Sequence, residues 1–107
     1  MRARPVERRS YAQAGKLLPK TAKRLRGRSV RLAPHGVMDW HSTGEREELV
    51  MALRGRLQID YATQSGRIAS VRVTTGQCAF IPSGVRHCVI NLAKQTSHYL
   101  YITYITA

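Results

Sequence analysis

From Ser29 onward, apolar residues recur in short runs that alternate with polar ones, and each run is closed by a turn signal. The clearest case is Arg56 to Tyr61, where Leu57, Ile59 and Tyr61 fall on one face and Arg56, Gln58 and Asp60 on the other. A period of two is the signature of a strand with one wet side. Thr63 to Gly66 then reads as a hairpin turn, and Arg67 to Val73 returns with Ala69, Val71 and Val73 on one face. The same logic predicts strands at Ser29–Ala33, Val37–His41, Arg46–Leu53, Gln77–Ile81, Arg86–Asn91 and His98–Thr106. Pro34-His35-Gly36, Ser42-Thr43-Gly44 and Pro82-Ser83-Gly84 separate them. The last run is dense in Tyr, Ile and Thr, which suit a pleated surface. Eight short strands at regular spacing with no helical period predict an all-β barrel or sandwich.

The first 28 residues have a different texture. Leu17, Leu18 and Leu25 are the only large aliphatics after Val6, and Pro19 interrupts them. This segment is expected to be a loosely attached arm, 1–28, ahead of a single β domain, 29–107. Charge follows the same division. The chain has 107 residues and a net charge of +12, and residues 1–31 hold eleven of the eighteen Lys and Arg against one acid, Glu7. The excess belongs to the arm, where it allows three readings: a solvated tail, a strap to a partner subunit, or phosphate contacts with nucleic acid. Nucleic acid is the less favoured of these, because Tyr11 is the arm's one aromatic and single-strand binders interleave several.

No apolar run approaches the roughly 20 residues of a membrane span, and no apolar core of a secretory signal follows the charged start. The expectation is a cytoplasmic protein with no membrane partner. Cys78 and Cys88 have no spacing for a metal or redox pair and read as ordinary thiols.

Gly76 to Asn91 runs G-QCAFI-P-S-G-VR-H-CVI-N. It resembles the second motif of the cupin family, G-x5-P-x-G-x2-H-x3-N, at Gly76, Pro82, Gly84, His87 and Asn91 alike. The first cupin motif, G-x5-H-x-H-x3-4-E-x6-G, is met in part: Glu48 precedes Gly55 by the required interval and His41 takes the first histidine position. Thr43 stands where the second histidine belongs, and Gly36 lies one residue closer to His41 than the pattern asks. The likeness covers nearly all of residues 29–107.

The resemblance implies a jelly-roll β-barrel, a homodimer, and a pocket in which His41, Glu48 and His87 bind a divalent transition metal: Fe, Mn, Ni or Zn. Two imidazoles and one carboxylate resemble the facial triad of non-haem iron enzymes, and they also suit zinc. His35 and His98 are the spare histidines that could complete the set, each more readily explained as a surface residue. Glu47 is expected to face out, opposite Glu48. Trp40, Tyr61, Phe80 and the tyrosines of the last strand are expected in the core or an interface. Cupins include dioxygenases, isomerases, epimerases, decarboxylases and non-catalytic binding proteins, so fold does not decide function. Two readings follow: a metal-dependent enzyme acting on a small molecule, of the oxygenase or isomerase kind, and a metal-free ligand sensor.

Overall fold

The computed structural model describes residues 6–105. Nine strands form two antiparallel sheets: β1 (Gly15–Lys16), β2 (Leu25–Leu32), β3 (Val37–His41), β4 (Glu47–Arg54), β5 (Arg56–Ala62), β6 (Ile68–Thr74), β7 (Cys78–Ile81), β8 (His87–Asn91) and β9 (Ser97–Tyr104). One sheet has the order β1-β2-β9-β4-β7 and the other β3-β8-β5-β6. Their facing sides enclose a core of Leu32, Val50, Ala52, Leu57, Ile59, Val73, Ile81, Val89 and Tyr99. Among the described residues no helix is long and apolar enough to cross a membrane.

The strand pattern agrees with the alternation in the sequence, with three differences. The first barrel strand begins at Leu25 rather than Ser29, because its backbone stays paired with β9 back to Tyr104. Gly15 and Lys16 add a short edge strand to it. Val71, assigned to the apolar inner face, is 41 % exposed, since it lies at the edge where β6 and β7 leave the barrel open. The predicted end of the last strand at Thr106, and the first five residues of the arm, lie outside the described residues.

Tyr11 and Ala12 lie against the outer face of the larger sheet, and Gly15–Lys16 extend its edge. Ser29 donates its hydroxyl to the Tyr11 carbonyl at 2.8 Å, Arg31 donates to the Ala12 carbonyl, and the Leu17 amide donates to Gly27 at 3.0 Å. Gly27 is the closest approach: a Cβ there would come within 3.3 Å of Leu18 and 2.7 Å of the Tyr101 carbonyl. Beneath this cover His98 is buried, with Nε2 2.5 Å from the Ser29 hydroxyl.

Burial and the neighbouring Arg31 both hold the His98 imidazole below its ordinary pKa, outweighing the Tyr11 carbonyl. The native state therefore refuses a proton that the unfolded chain accepts. Stability from this group is complete above the unfolded value near 6.5 and declines as pH falls from there toward the lower folded value. Urea midpoints measured between pH 7.5 and 5.5 should fall further on acidification in the parent than in His98→Gln. Equal slopes would show that His98 does not sense the proton.

The second motif's asparagine has a structural job. Asn91 is fully buried, and its Nδ2 shares its two hydrogens among the carbonyls of Leu32, Ala33 and Gln95, at 3.0, 3.0 and 2.8 Å. Its Oδ1 accepts from the Ala93 amide and the Ser97 hydroxyl at 2.8 and 2.7 Å. One amide thus ties the end of β2 to the loop between β8 and β9. Gly55 is held by the same corner: its φ is +108°, and a Cβ would overlap the Ser97 hydroxyl and sit 2.8 Å from the Ser97 Cβ.

Candidate metal centre

His41, Glu48 and His87 converge. One ligand atom from each lies within 4.8 Å of the other two. Three elements bring them there. Glu48 is opposite Thr103 and Ile81 in the larger sheet and points inward beside Val50. His87 opens β8 and pairs with Tyr61 and His41 in the smaller sheet.

His41 needs a bulge. Strict alternation from the inward Met38 would turn His41 to the outside with Val37. The register of β3 against β8 instead slips between Met38 and His41, so that one extra residue is absorbed and His41 faces His87. The imidazole rings sit 4.3 Å apart, tilted by 59°.

The two motif loops are joined directly. The Gly84 amide donates to the Gly44 carbonyl at 2.7 Å, linking the turn after β7 to the turn after β3. Thr43 uses its hydroxyl within its own turn, donating to the Arg46 carbonyl at 2.7 Å. It lines the same pocket as His41 and Glu48. The spare histidines do not join the three converging donors: His35 sits exposed in a turn at φ +59°, and His98 is on the outer face under the N-terminal segment. Glu47 is exposed, as expected from its parity.

Both imidazoles are oriented by backbone carbonyls. Nδ1 of His87 is 3.0 Å from the Val85 carbonyl and Nδ1 of His41 is 2.7 Å from that of Asp39. A carbonyl can only accept, so each Nδ1 carries the hydrogen and each Nε2 presents a lone pair. This is the arrangement that fixes metal-ligating histidines. His87 Nε2 is fully buried and has no hydrogen-bond partner among the described residues. Its neighbour is Glu48 Oε1 at 3.5 Å, too long for a hydrogen bond but close to the ~3.4 Å that separates two donors around a tetrahedral ion with ~2.1 Å bonds. A buried, unpartnered nitrogen facing a buried carboxylate is costly unless a cation lies between them. The donor set therefore fits a divalent transition metal.

Burial works against the His87 imidazolium, but Glu48 and the Val85 carbonyl outweigh it and hold the ring above its ordinary pKa. A proton and a metal ion compete for the same Nε2, so metal affinity should weaken on acidification.

The space in front of His41 and Glu48 is about 320 Å³ and is lined also by Arg26, Arg46, Ser42, Tyr99, Tyr101 and Thr103 among others. That is at the small end of ligand pockets. Tyr99 and Tyr101, expected in the core or an interface, bound this pocket, Tyr99 while also belonging to the core. Burial first, then Glu48 and Tyr101, push the Tyr99 phenol far above its ordinary value. It is a hydroxyl donor at any physiological pH. Arg26 and Arg46 were not distinguishable in the sequence from the other cations. The signal was available for Arg26 once β2 is extended to Leu25, since it then shares the inward parity of Val30 and Leu32.

A family model, the cupin domain, matches residues 28–103. The chain is a cupin. Solved structures agree on the fold. An oxalate oxidase in complex with glycolate superposes with a TM-score of 0.71 at 21 % identity, over 76 % of this cupin and 42 % of that chain. The Bacillus subtilis oxalate decarboxylase, described with Mn(II) centres, gives 0.73 at 18 % identity, over 90 % and 28 %. The Schizosaccharomyces pombe Cnp3 cupin domain gives 0.75 at 11 % identity, over 87 % and 60 %. This chain thus spans less than half the length of either oxalate enzyme. No curated protein matches it in sequence.

Proposed function

We propose that this cupin is a metal-dependent protein acting on a small molecule, with His41, Glu48 and His87 holding one divalent transition ion. The observation that supports this most is the buried His87 Nε2 without a partner, turned toward Glu48. The likeness to oxalate-converting cupins, one of them with Mn(II) centres, adds to it. The bound ion would supply Lewis acidity or activation of dioxygen, and three protein donors leave positions open for that chemistry.

The chain's own residues do the rest. The Val85 and Asp39 carbonyls hold both rings with Nε2 forward. Tyr99 offers a phenolic hydrogen to whatever enters, and its raised pKa keeps it from acting as a base. Among the described residues Glu48 is the only carboxylate lining the pocket, and as a ligand it is not free to shuttle protons. The chemistry favoured is thus polarisation of a bound group rather than proton abstraction by a separate side chain.

Elemental analysis of purified protein, followed by melting curves with added Fe, Mn, Ni or Zn, tests this. At least one ion should be retained near one per chain and raise the melting temperature. If none is retained and none stabilises the fold, the metal-free ligand sensor becomes the better reading.

A further inference from the structure

The concave side of the larger sheet changes character toward β1. In one row across the strands Lys16 pairs with Arg28, Arg28 with Tyr101 and Tyr101 with Val50. In the next, Arg26 pairs with Thr103 and Thr103 with the metal ligand Glu48. Paired residues share a face, so Lys16, Arg28 and Arg26 lie on the same inner surface as the metal donors. Arg26 is two strand spacings from Glu48, about 10 Å. Burial along β2 agrees: Gly27 and Ser29 are covered on the outer side, whereas Arg26 and Arg28 are open on the inner one.

A second hollow of about 480 Å³ occupies this region, lined by Lys16, Lys20, Arg26 and Arg28 with Leu18, Pro19 and Tyr101. Arg26 and Tyr101 line it and the metal pocket alike, so the two adjoin at these side chains. None of the four cations makes an ion pair among the described residues. Burial holds the Tyr101 phenol above its ordinary pKa, and the neighbouring Arg28 guanidinium opposes that rise. Across both hollows Glu48 is the only acidic lining residue among the described residues. Four cations facing one solvent-filled trough repel one another unless an anion sits among them.

We propose that the trough formed by Lys16, Lys20, Arg26 and Arg28 binds the oxyanion group, phosphate or carboxylate, of a small molecule whose other end reaches the metal pocket. It rests on the proposed function only in taking Arg26 and Tyr101 as the shared wall. Guanidinium groups recognise such oxyanions through paired N–H donors. The trough excludes a neutral sugar or hydrocarbon as the preferred ligand, because either would leave four charges uncompensated. A small molecule is favoured over nucleic acid because the cations cluster around one hollow that adjoins the metal pocket, rather than following an open stripe with stacking aromatics.

Calorimetric titration with glycerol 3-phosphate, glycerate and glycerol tests the proposal, with a short single-stranded oligonucleotide as the alternative. One or both anions should bind, and the stronger names the oxyanion; glycerol should not. Arg26→Gln combined with Arg28→Gln should weaken that binding by about tenfold or more, while the pair of Lys replacements retains most of it. Arg67→Gln, on an exposed hairpin, is the control for general charge loss and should change little. Equal binding of glycerol and the anions overturns the proposal. So does an Arg26/Arg28 double variant that binds like the parent, or binding of the oligonucleotide alone. The anion should also bind His87→Ala. Metal loading without anion binding therefore overturns this proposal alone, and anion binding without metal loading overturns the metal centre alone.

Discussion

His87→Ala is expected to abolish stabilisation by metal while leaving the barrel folded. In the parent, an ion present at a hundred times its dissociation constant should add about 2.7 kcal/mol, which for a domain of this size is a rise of roughly 10–20 °C in melting temperature. The variant keeps His41 and Glu48, which come from different sheets and form no chelate by themselves. Two donors do not retain a labile divalent ion. The metal-free variant should melt within roughly 10 °C of the metal-free parent. A cavity is created at a fully buried site, but the change also removes a nitrogen that had no partner. Differential scanning fluorimetry with and without added ion reads both effects. A variant that is still stabilised by the ion as strongly as the parent would place the metal elsewhere.

Asn91→Ala should do the reverse, damaging the fold without touching the donors. It removes the two bonds accepted by the buried amide oxygen and those its two N–H hydrogens share among three carbonyls, and strands the Ser97 hydroxyl and the facing carbonyls of Leu32, Ala33 and Gln95. Each buried group left unsatisfied costs about 1–3 kcal/mol. A loss of about 3 kcal/mol or more is expected, a drop of roughly 15 °C. Asn91→Asp should be no better, because it turns an oxygen toward three carbonyl oxygens. Urea denaturation of both variants measures this. A midpoint unchanged in either would show that the amide is not the tie between β2 and the β8–β9 loop.

The alternation of Leu57, Ile59 and Tyr61 against Arg56, Gln58 and Asp60 was enough to place β5, because only an extended strand turns every second side chain to the same side. The motif spacing placed His87, Glu48 and His41 together, but for His41 the pattern and the periodicity disagreed. Periodicity alone puts it outside with Val37. The bulge that turns it inward is a backbone event with no residue signature in Val37–His41. The edges were less legible for a related reason. Leu25–Arg28 lacks alternation because on its outer side Gly27 is covered by Leu18 while Leu25 is exposed, and its inner side is open, so neither face is simply wet or dry. The inward Arg26 and the buried His98 are both products of that local inversion. Nothing in the composition of a basic arm distinguishes cations that face a pocket from cations that face water.

Glu48 is on one sheet, and both histidines are on the other. An ion seated among them would be a clasp across the barrel rather than an ornament on one wall. Any motion that parts the layers must stretch that clasp, and any ligand that loosens it lets the mouth yawn. Metal exchange and the breathing of the two sheets are then a single movement viewed from two ends.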